Sequence, residues 1–175
     1  MNILILNGSP RPKGETARMV EVFQTAAEAA GHTVTALNVC RMNIHGCLSC
    51  EYCHGKGAGK CIQQDDMQEI YRLLPETDML VLASPIYYHN MSGQLKCAID
   101  RFYAALYPEA PERLKKAAMF LSSGDPGVYD GARFSFEGDF LGYLGLEDLG
   151  VYTNHDPERF EKLRRMAAAL EPSAD

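Results

Sequence analysis

Short unbroken apolar runs alternate along the chain with longer stretches whose apolar residues recur every three or four positions. The first run, residues 2–7, reads as a strand, and a polar, glycine-bearing segment over 8–14 follows it. From Thr16 to Ala30, the residues Ala17, Val20, Phe23, Ala27 and Ala30 share one helical face, and Gly31 stands where a helix C-terminal glycine is expected. Residues 33–39 give a second strand. Residues 40–64 carry no useful periodicity, after which Asp65 or Asp66 is placed to cap a helix running through Leu74. Residues 79–83 are apolar throughout, as in a strand covered on both faces. Leu95, Ala98, Ile99, Phe102 and Leu106 mark one face of the next helix. A fourth strand over 117–122, a weaker helix over 139–144, a fifth strand over 146–153 and a last helix over 157–169 complete the pattern.

This order, βαβαβαβαβα with connections long enough for crossover helices, predicts a five-stranded doubly wound parallel sheet with helices on both faces. No internal repeat, low-complexity tract or linker interrupts it, so residues 1–175 read as one domain with a cysteine-rich insert at about 40–64. In the strand order 2-1-3-4-5, the loops after strands one and three lie side by side beyond the carboxyl ends, where ligands bind in such sheets. Those loops, residues 8–16 and 84–93, are where chemistry is expected.

Composition narrows the function classes. A domain of 175 residues can bury about 70% of its extended-chain surface without disulfides or structural metal. The net charge of −6 gives no sequence-independent attraction to nucleic acid or anionic lipid, so neither is an expected partner. No run approaches the apolar length of a membrane span, and the N-terminus lacks the basic region of a signal peptide. A cytoplasmic location is expected. The six cysteines are then packing, metal or redox residues rather than a disulfide framework. No Ser/His/Asp arrangement, zinc-protease helix or paired-carboxylate site suggests hydrolysis.

The segment Gly8-Ser9-Pro10-Arg11-Pro12-Lys13-Gly14-Glu15-Thr16 joins a buried strand to a helix N-terminus. Backbone N–H groups and the positive helix end favour an anion there, with hydroxyls from Ser9 and Thr16 and a cation from Arg11. A P-loop needs Lys-Ser/Thr after its second glycine, but Gly14 is followed by Glu15. A dinucleotide fingerprint needs three glycines, and only Gly8 and Gly14 are present. A single phosphate, as in a mononucleotide, suits the loop best; the plain alternative is a glycine turn with a Thr cap.

Three ordered motifs resemble the NAD(P)H-dependent FMN reductase and iron–sulfur flavoprotein group, which has a flavodoxin-like fold. Gly8-Ser9-Pro10-Arg11 with Gly14 and Thr16 is similar to its phosphate loop. Ser84-Pro85-Ile86-Tyr87-Tyr88, with Ser92-Gly93-Gln94-Leu95-Lys96 and Asp100-Arg101, is similar to its flavin loop and following helix. Asp65-Asp66-Met67 matches as well, and the likeness runs from residue 3 to about residue 124. The resemblance implies FMN, with Ser9, Arg11, Gly14, Glu15 and Thr16 around its phosphate and Ser84, Pro85, Ile86, Tyr87 and Tyr88 beside its ring. Ser123, Gly124 and Asp125 would form a third side of the pocket. Hydride and electron transfer belong to the flavin, so the protein's task is binding and electrostatics, and no catalytic side chain is singled out.

Cys47-x₂-Cys50-x₂-Cys53-x₇-Cys61 places four thiols within fifteen residues. Two-residue spacing lets successive thiolates face one centre, as in ferredoxin-type sites. Structural zinc usually takes two separated knuckles, which this run fits poorly, although His54 stands nearby as a further ligand. The resemblance implies a 4Fe–4S cluster, because iron–sulfur flavoproteins carry such a compact motif; relatives without a cluster also keep several of these cysteines. Cluster, free or redox-active thiols, and zinc therefore stay open. Cys40 and Cys97 read as packing residues.

The leading expectation is an FMN oxidoreductase taking electrons from NAD(P)H or a ferredoxin and passing them to a quinone, flavin or other small acceptor. The alternatives are an iron–sulfur flavoprotein relay and a thiol-based redox sensor. Family likeness further implies a homo-oligomer, a dimer or tetramer, with residues 123–136 available to cover a neighbour's flavin.

Overall fold

The computed structural model describes residues 1–171, so the last four residues of the domain expected over 1–175 lie outside the described residues. Five parallel strands form the sheet: β1 (Asn2–Asn7), β2 (Thr33–Leu37), β3 (Met79–Tyr87), β5 (Lys116–Ser122) and β6 (Glu147–Thr153). Their order is β2-β1-β3-β5-β6, which is the doubly wound 2-1-3-4-5 arrangement counted over the parallel strands. A two-residue strand, β4 (Asn90–Met91), pairs antiparallel with the end of β3.

Side-chain alternation along the buried strands divides the interior into two cores. Leu4, Leu6, Leu80, Leu82, Met119 and Leu121 face one way, beneath α2 (Met67–Leu73), α3 (Gly93–Arg101) and the short α4 (Tyr103–Leu106). Ile3, Ile5, Val81, Ala83, Ala118 and Phe120 face the other, beneath α1 (Glu15–Ala29) and α6 (Arg159–Ala169). Each large apolar side chain buried in this way contributes about 1.5–3 kcal/mol relative to exposure. α1 ends as its sequence suggests, with Gly31 at φ 88°.

Three elements depart from the sequence pattern. β3 continues beyond Ala83 because parallel pairing with β5 persists to Pro85 opposite Ser122. The strand then turns back through Tyr88 and His89, both at positive φ (48° and 63°), so that Tyr87 pairs with Asn90. Positive φ at both central residues is what a two-residue hairpin of the favoured hand requires. The weaker helix expected over 139–144 is instead the end of a longer one: α5 (Asp130–Ser135) runs into a π-helical segment, Phe136–Tyr143. Ala132, Phe136 and Phe140 bury one face of it, while Gly131, Gly138 and Gly142 weaken its local helical signal. Neither aspartate caps α2 in the simple sense. Asp66 holds the N-cap position without a side-chain cap, and Asp65 accepts from the Met67 N–H at 3.2 Å while serving other partners.

Between Arg41 and Met67 the described residues form no helix or strand. The segment is nevertheless closed at its neck, where Asp66 N–H donates to Asn43 O at 3.1 Å and Asn43 N–H donates to Asp66 Oδ2 at 2.6 Å. A structureless stretch this long inside a small domain is usually functional.

Candidate functional site

Register brings the expected loops together. Asn7 of β1 is opposite Ala83 of β3, and Ser84 and Pro85 are opposite Leu121 and Ser122 of β5. The carboxyl ends of the three central strands therefore open at one level. A cavity of about 360 Å³ lies there, bordered by Ser9, Arg11, Gly14, Glu15, Pro85, Ile86, Tyr87, Ser122, Ser123, Gly124 and Asn154. That is within the size range of small-molecule and cofactor pockets.

The loop after β1 is anchored to β3 and to the Asn7 side chain. Gly8 N–H donates to Ala83 O at 2.8 Å, and Ser9 N–H donates to Asn7 Oδ1 at 2.9 Å. A Cβ on Gly8 would lie 2.4 Å from Ser92 Oγ and 2.8 Å from Leu95 Cβ, so only glycine lets this loop approach the start of α3. Gly14 occupies the N-cap of α1, and no side chain caps that helix end. The first-turn N–H groups and the positive end of a fifteen-residue helix are thus left for an external anion.

Glu15, in the first turn of this helix, is paired with two cations. Arg159 and Arg18 bind its carboxylate at 2.9 and 2.8 Å. Burial pushes its carboxyl up, but the hydrogen bonds from Arg159 and then Arg18 outweigh burial and hold it below the usual range. Thr16 is buried, its hydroxyl 2.7 Å from Ser122 Oγ, and so ties the helix start to β5.

Along the second loop, Pro85, Ile86 and Tyr87 border the cavity. Ser84 is fully buried beneath them, where its Oγ accepts from Ser92 N–H at 2.8 Å and donates to Pro85 O at 2.7 Å, bracing the hairpin. Tyr88 is fully exposed at the turn and does not border the cavity. Ser123 and Gly124 border it, whereas Asp125 stands aside, folding its backbone around Ser123 Oγ and accepting from Gly127 N–H at 2.8 Å.

Asn154 is a lining residue that the sequence pattern did not single out. Its Oδ1 accepts from Ser123 N–H (2.8 Å) and Tyr129 Oη–H (2.7 Å), and its Nδ2 donates to Ser123 O (3.0 Å). A lone Asn after a strand carries no motif; only the pairing of β5 with β6 reveals it. Asn154→Ala is expected to cost about 1–3 kcal/mol by stranding these partners and to weaken ligand binding at the cleft. Chemical denaturation beside a flavin titration checks both.

The four clustered cysteines meet at a second site. Cys47, Cys50, Cys53 and Cys61 border one small cavity together with Ser49, Glu51, Arg101 and Tyr103. Ser49 and Glu51 adopt positive φ (49° and 54°) on either side of Cys50, a backbone costing about 1–3 kcal/mol per residue. The glycine-rich gap before Cys61 is packed: a Cβ on Gly57 would lie 2.4 Å from Lys60 O and 2.7 Å from the Tyr52 ring. Burial pushes the Cys53 thiol up. Among the described residues, no three His, Cys, Asp or Glu side chains converge closely enough to hold a single metal ion. Cys40 lies apart from the cavity, donating its S–H to Ser9 O at 2.8 Å.

Beneath this cavity is a buried ion pair. Arg101, about 1% exposed, binds both oxygens of Asp65 (2.8 and 3.1 Å) and donates to His45 O at 3.0 Å. Burial pushes the Asp65 carboxyl up, but the Arg101 hydrogen bonds and the His45 N–H hold it below the usual carboxylate range. Burial also opposes charge on Arg101, yet Asp65 keeps the guanidinium firmly protonated. α3 joins the two sites: Ser92 at its N-cap packs under Gly8, and Arg101 at its last turn borders the thiols.

Fold and site together define a flavin-dependent oxidoreductase class. The sequence profile of the NADPH-dependent FMN reductase family matches residues 1–136, and the chain belongs to that family. An iron–sulfur flavoprotein of Archaeoglobus fulgidus is 39% identical over 94 residues, covering 54% of this chain and 42% of its own length. One from Methanocaldococcus jannaschii is 38% identical over 106 residues, covering 61% of this chain and 52% of its own. The chain thus spans about half the length of these curated relatives. In fold it is similar to an NAD(P)H:quinone oxidoreductase from Methanothermobacter marburgensis, with a TM-score of 0.79, 23% identity and coverage of 100% and 98% of the two chains. An FMN-dependent NADH-azoreductase from Bacillus anthracis superposes with a TM-score of 0.70 at 13% identity, covering 96% and 98%. Among the described residues, no helix is long and apolar enough to cross a membrane.

Proposed function

We propose that this protein is an FMN-dependent electron relay in which the four thiols at the cysteine cavity hold a 4Fe–4S cluster. Electrons enter from NAD(P)H or a ferredoxin and leave to a quinone, flavin or other small acceptor. The observation that carries this reading is the meeting of Cys47, Cys50, Cys53 and Cys61 at one cavity, joined by a single helix to the cleft at the sheet's switch point.

The residues present fit both groups. At the cleft, the uncapped α1 N-terminus and Arg11 suit one phosphate, and Arg159 with Arg18 neutralises Glu15 beside it. Pro85, Ile86 and Tyr87 supply a wall for a flat ring, and the network of Asn154, Ser123 and Tyr129 fixes the opposite wall. Bound FMN supplies one- and two-electron chemistry, so no side chain need act as acid or base. At the thiols, an all-sulfur donor set in one compact run suits iron–sulfur chemistry better than the two separated knuckles usual for zinc.

The nine-residue α3, roughly 14 Å long, sets the scale of separation between the two sites. Six unpaired cysteines suit a reducing, cytoplasmic setting. A second copy of the chain is the expected cover for the exposed, stacked rings of Tyr107 and Tyr143.

Anoxic purification followed by acid release tests the assignment. One FMN and about four irons per chain are expected, with a broad brown absorbance that acid bleaches. Flavin without iron leaves a simple reductase, and a colourless protein that takes up no FMN rejects the reading.

A further inference from the structure

Arg101 is more than the partner of Asp65. Its two terminal nitrogens are engaged by Asp65 and His45 O, but its Nε is buried with no hydrogen-bond partner among the described residues. Leaving an N–H of a charged group buried and unpaired is costly, and such groups call for a partner. Arg101 also borders the cavity that the four cysteines line. Asp65 and the His45 carbonyl clamp it from one side, so it cannot swing toward solvent to satisfy that N–H.

We propose that Arg101 is the buried counter-charge of the four-thiolate centre, donating its unpaired Nε–H to sulfur there and favouring the centre's reduced state. This role rests on the cluster assignment proposed above. Reduction by one electron adds one negative charge to a centre that is already anionic, and net charge and hydrogen bonds to sulfur are the levers that set such potentials. Asp65 does not cancel the effect, because Arg101 borders the cavity and Asp65 does not. Arg101 is thus a positioning and tuning residue, not a ligand. Its location at the end of α3 makes the helix that begins under the flavin loop end on the charge that governs the thiol centre.

The test compares wild type, Arg101→Lys and the double variant Asp65→Asn/Arg101→Gln, each purified anoxically. The double variant removes both charges together, so no unpaired ion is left buried. Bound FMN reports an intact cleft and fold, iron content reports assembly, and a dithionite titration followed by visible and electron paramagnetic resonance spectra reports the potential. The expected result is full FMN in all three proteins and a lower cluster potential in the double variant. Its reduced-to-oxidised ratio at fixed potential should drop at least tenfold, which is about 59 mV for one electron. Arg101→Lys should stay near wild type. Iron lost from the double variant but kept in both Arg101→Lys and a control Asp65→Asn also supports the role, since only the double variant then lacks a cation at position 101. A double variant with full iron and an unchanged potential, or iron lost equally from both variants, overturns it. If wild type itself carries FMN but no iron, the cluster assignment fails first, and this role with it.

Discussion

Asp65→Ala is expected to destabilise the folded protein by about 3–5 kcal/mol, more than any other single polar substitution considered. Both members of the pair are buried, and the contact is bidentate at 2.8 and 3.1 Å. Removing the carboxylate leaves a guanidinium in the interior without its counter-charge, beside only the neutral His45 carbonyl and Tyr71 hydroxyl. It also frees the His45 and Met67 N–H groups that Asp65 receives, loosening the cysteine segment and the start of α2 at once. Equilibrium denaturation measures the loss. Asp65→Leu paired with Arg101→Met should recover the share due to the unpaired buried charge, while the His45 and Met67 N–H groups stay without their acceptor.

The same pair predicts a pH dependence of definite sign. The folded-state pKa of Asp65 is depressed, so its stabilisation is fully present above the unfolded value of about 3.9 and is lost as pH falls toward the folded value. Wild-type stability should therefore drop steeply below about pH 4. In Asp65→Leu/Arg101→Met that part of the slope should be missing. Parallel acid profiles of equal slope would show that other carboxylates dominate.

Gly8→Ala is expected to separate the phosphate loop from the flavin loop. The new Cβ meets Ser92 Oγ at 2.4 Å and Leu95 Cβ at 2.8 Å, and both residues are fully buried, so neither can yield into solvent. Moving Ser92 would also disturb its cap on Leu95 N–H and its bond to Ser84 Oγ. Overpacking of this kind costs about 1–3 kcal/mol. FMN affinity should fall at least about tenfold, or 1.4 kcal/mol, because the Gly8 N–H to Ala83 O bond that sets the loop's height is strained as well. Fluorescence titration with FMN and a melting curve would show the two losses together; wild-type values in both would mean that the loops have room to part.

Much of the fold was legible because strand and helix periods differ. The runs at residues 3–6, 79–83 and 117–121 are apolar throughout, and a sheet covered on both faces buries every position of them. Strand order then followed from crossover handedness, and the two loops at the switch point followed from strand order. The hairpin at Tyr88 and His89 was hidden, because neither residue is one that normally signals positive φ. The helix over 130–143 was hidden by its three glycines, although Ala132, Phe136 and Phe140 repeat every fourth position.

By itself the sequence determined the parallel sheet, the phosphate-suited loop and the clustering of four thiols, since each depends on residues near one another along the chain. Only the tertiary structure decided what joins distant segments. It brought Asn154 to the cleft, set Arg159 on Glu15 and buried Asp65 against Arg101. It also turned Cys47, Cys50, Cys53 and Cys61 to one cavity. Those contacts are fixed by register and by which helix end packs on which loop, and neither leaves a periodic trace in the chain.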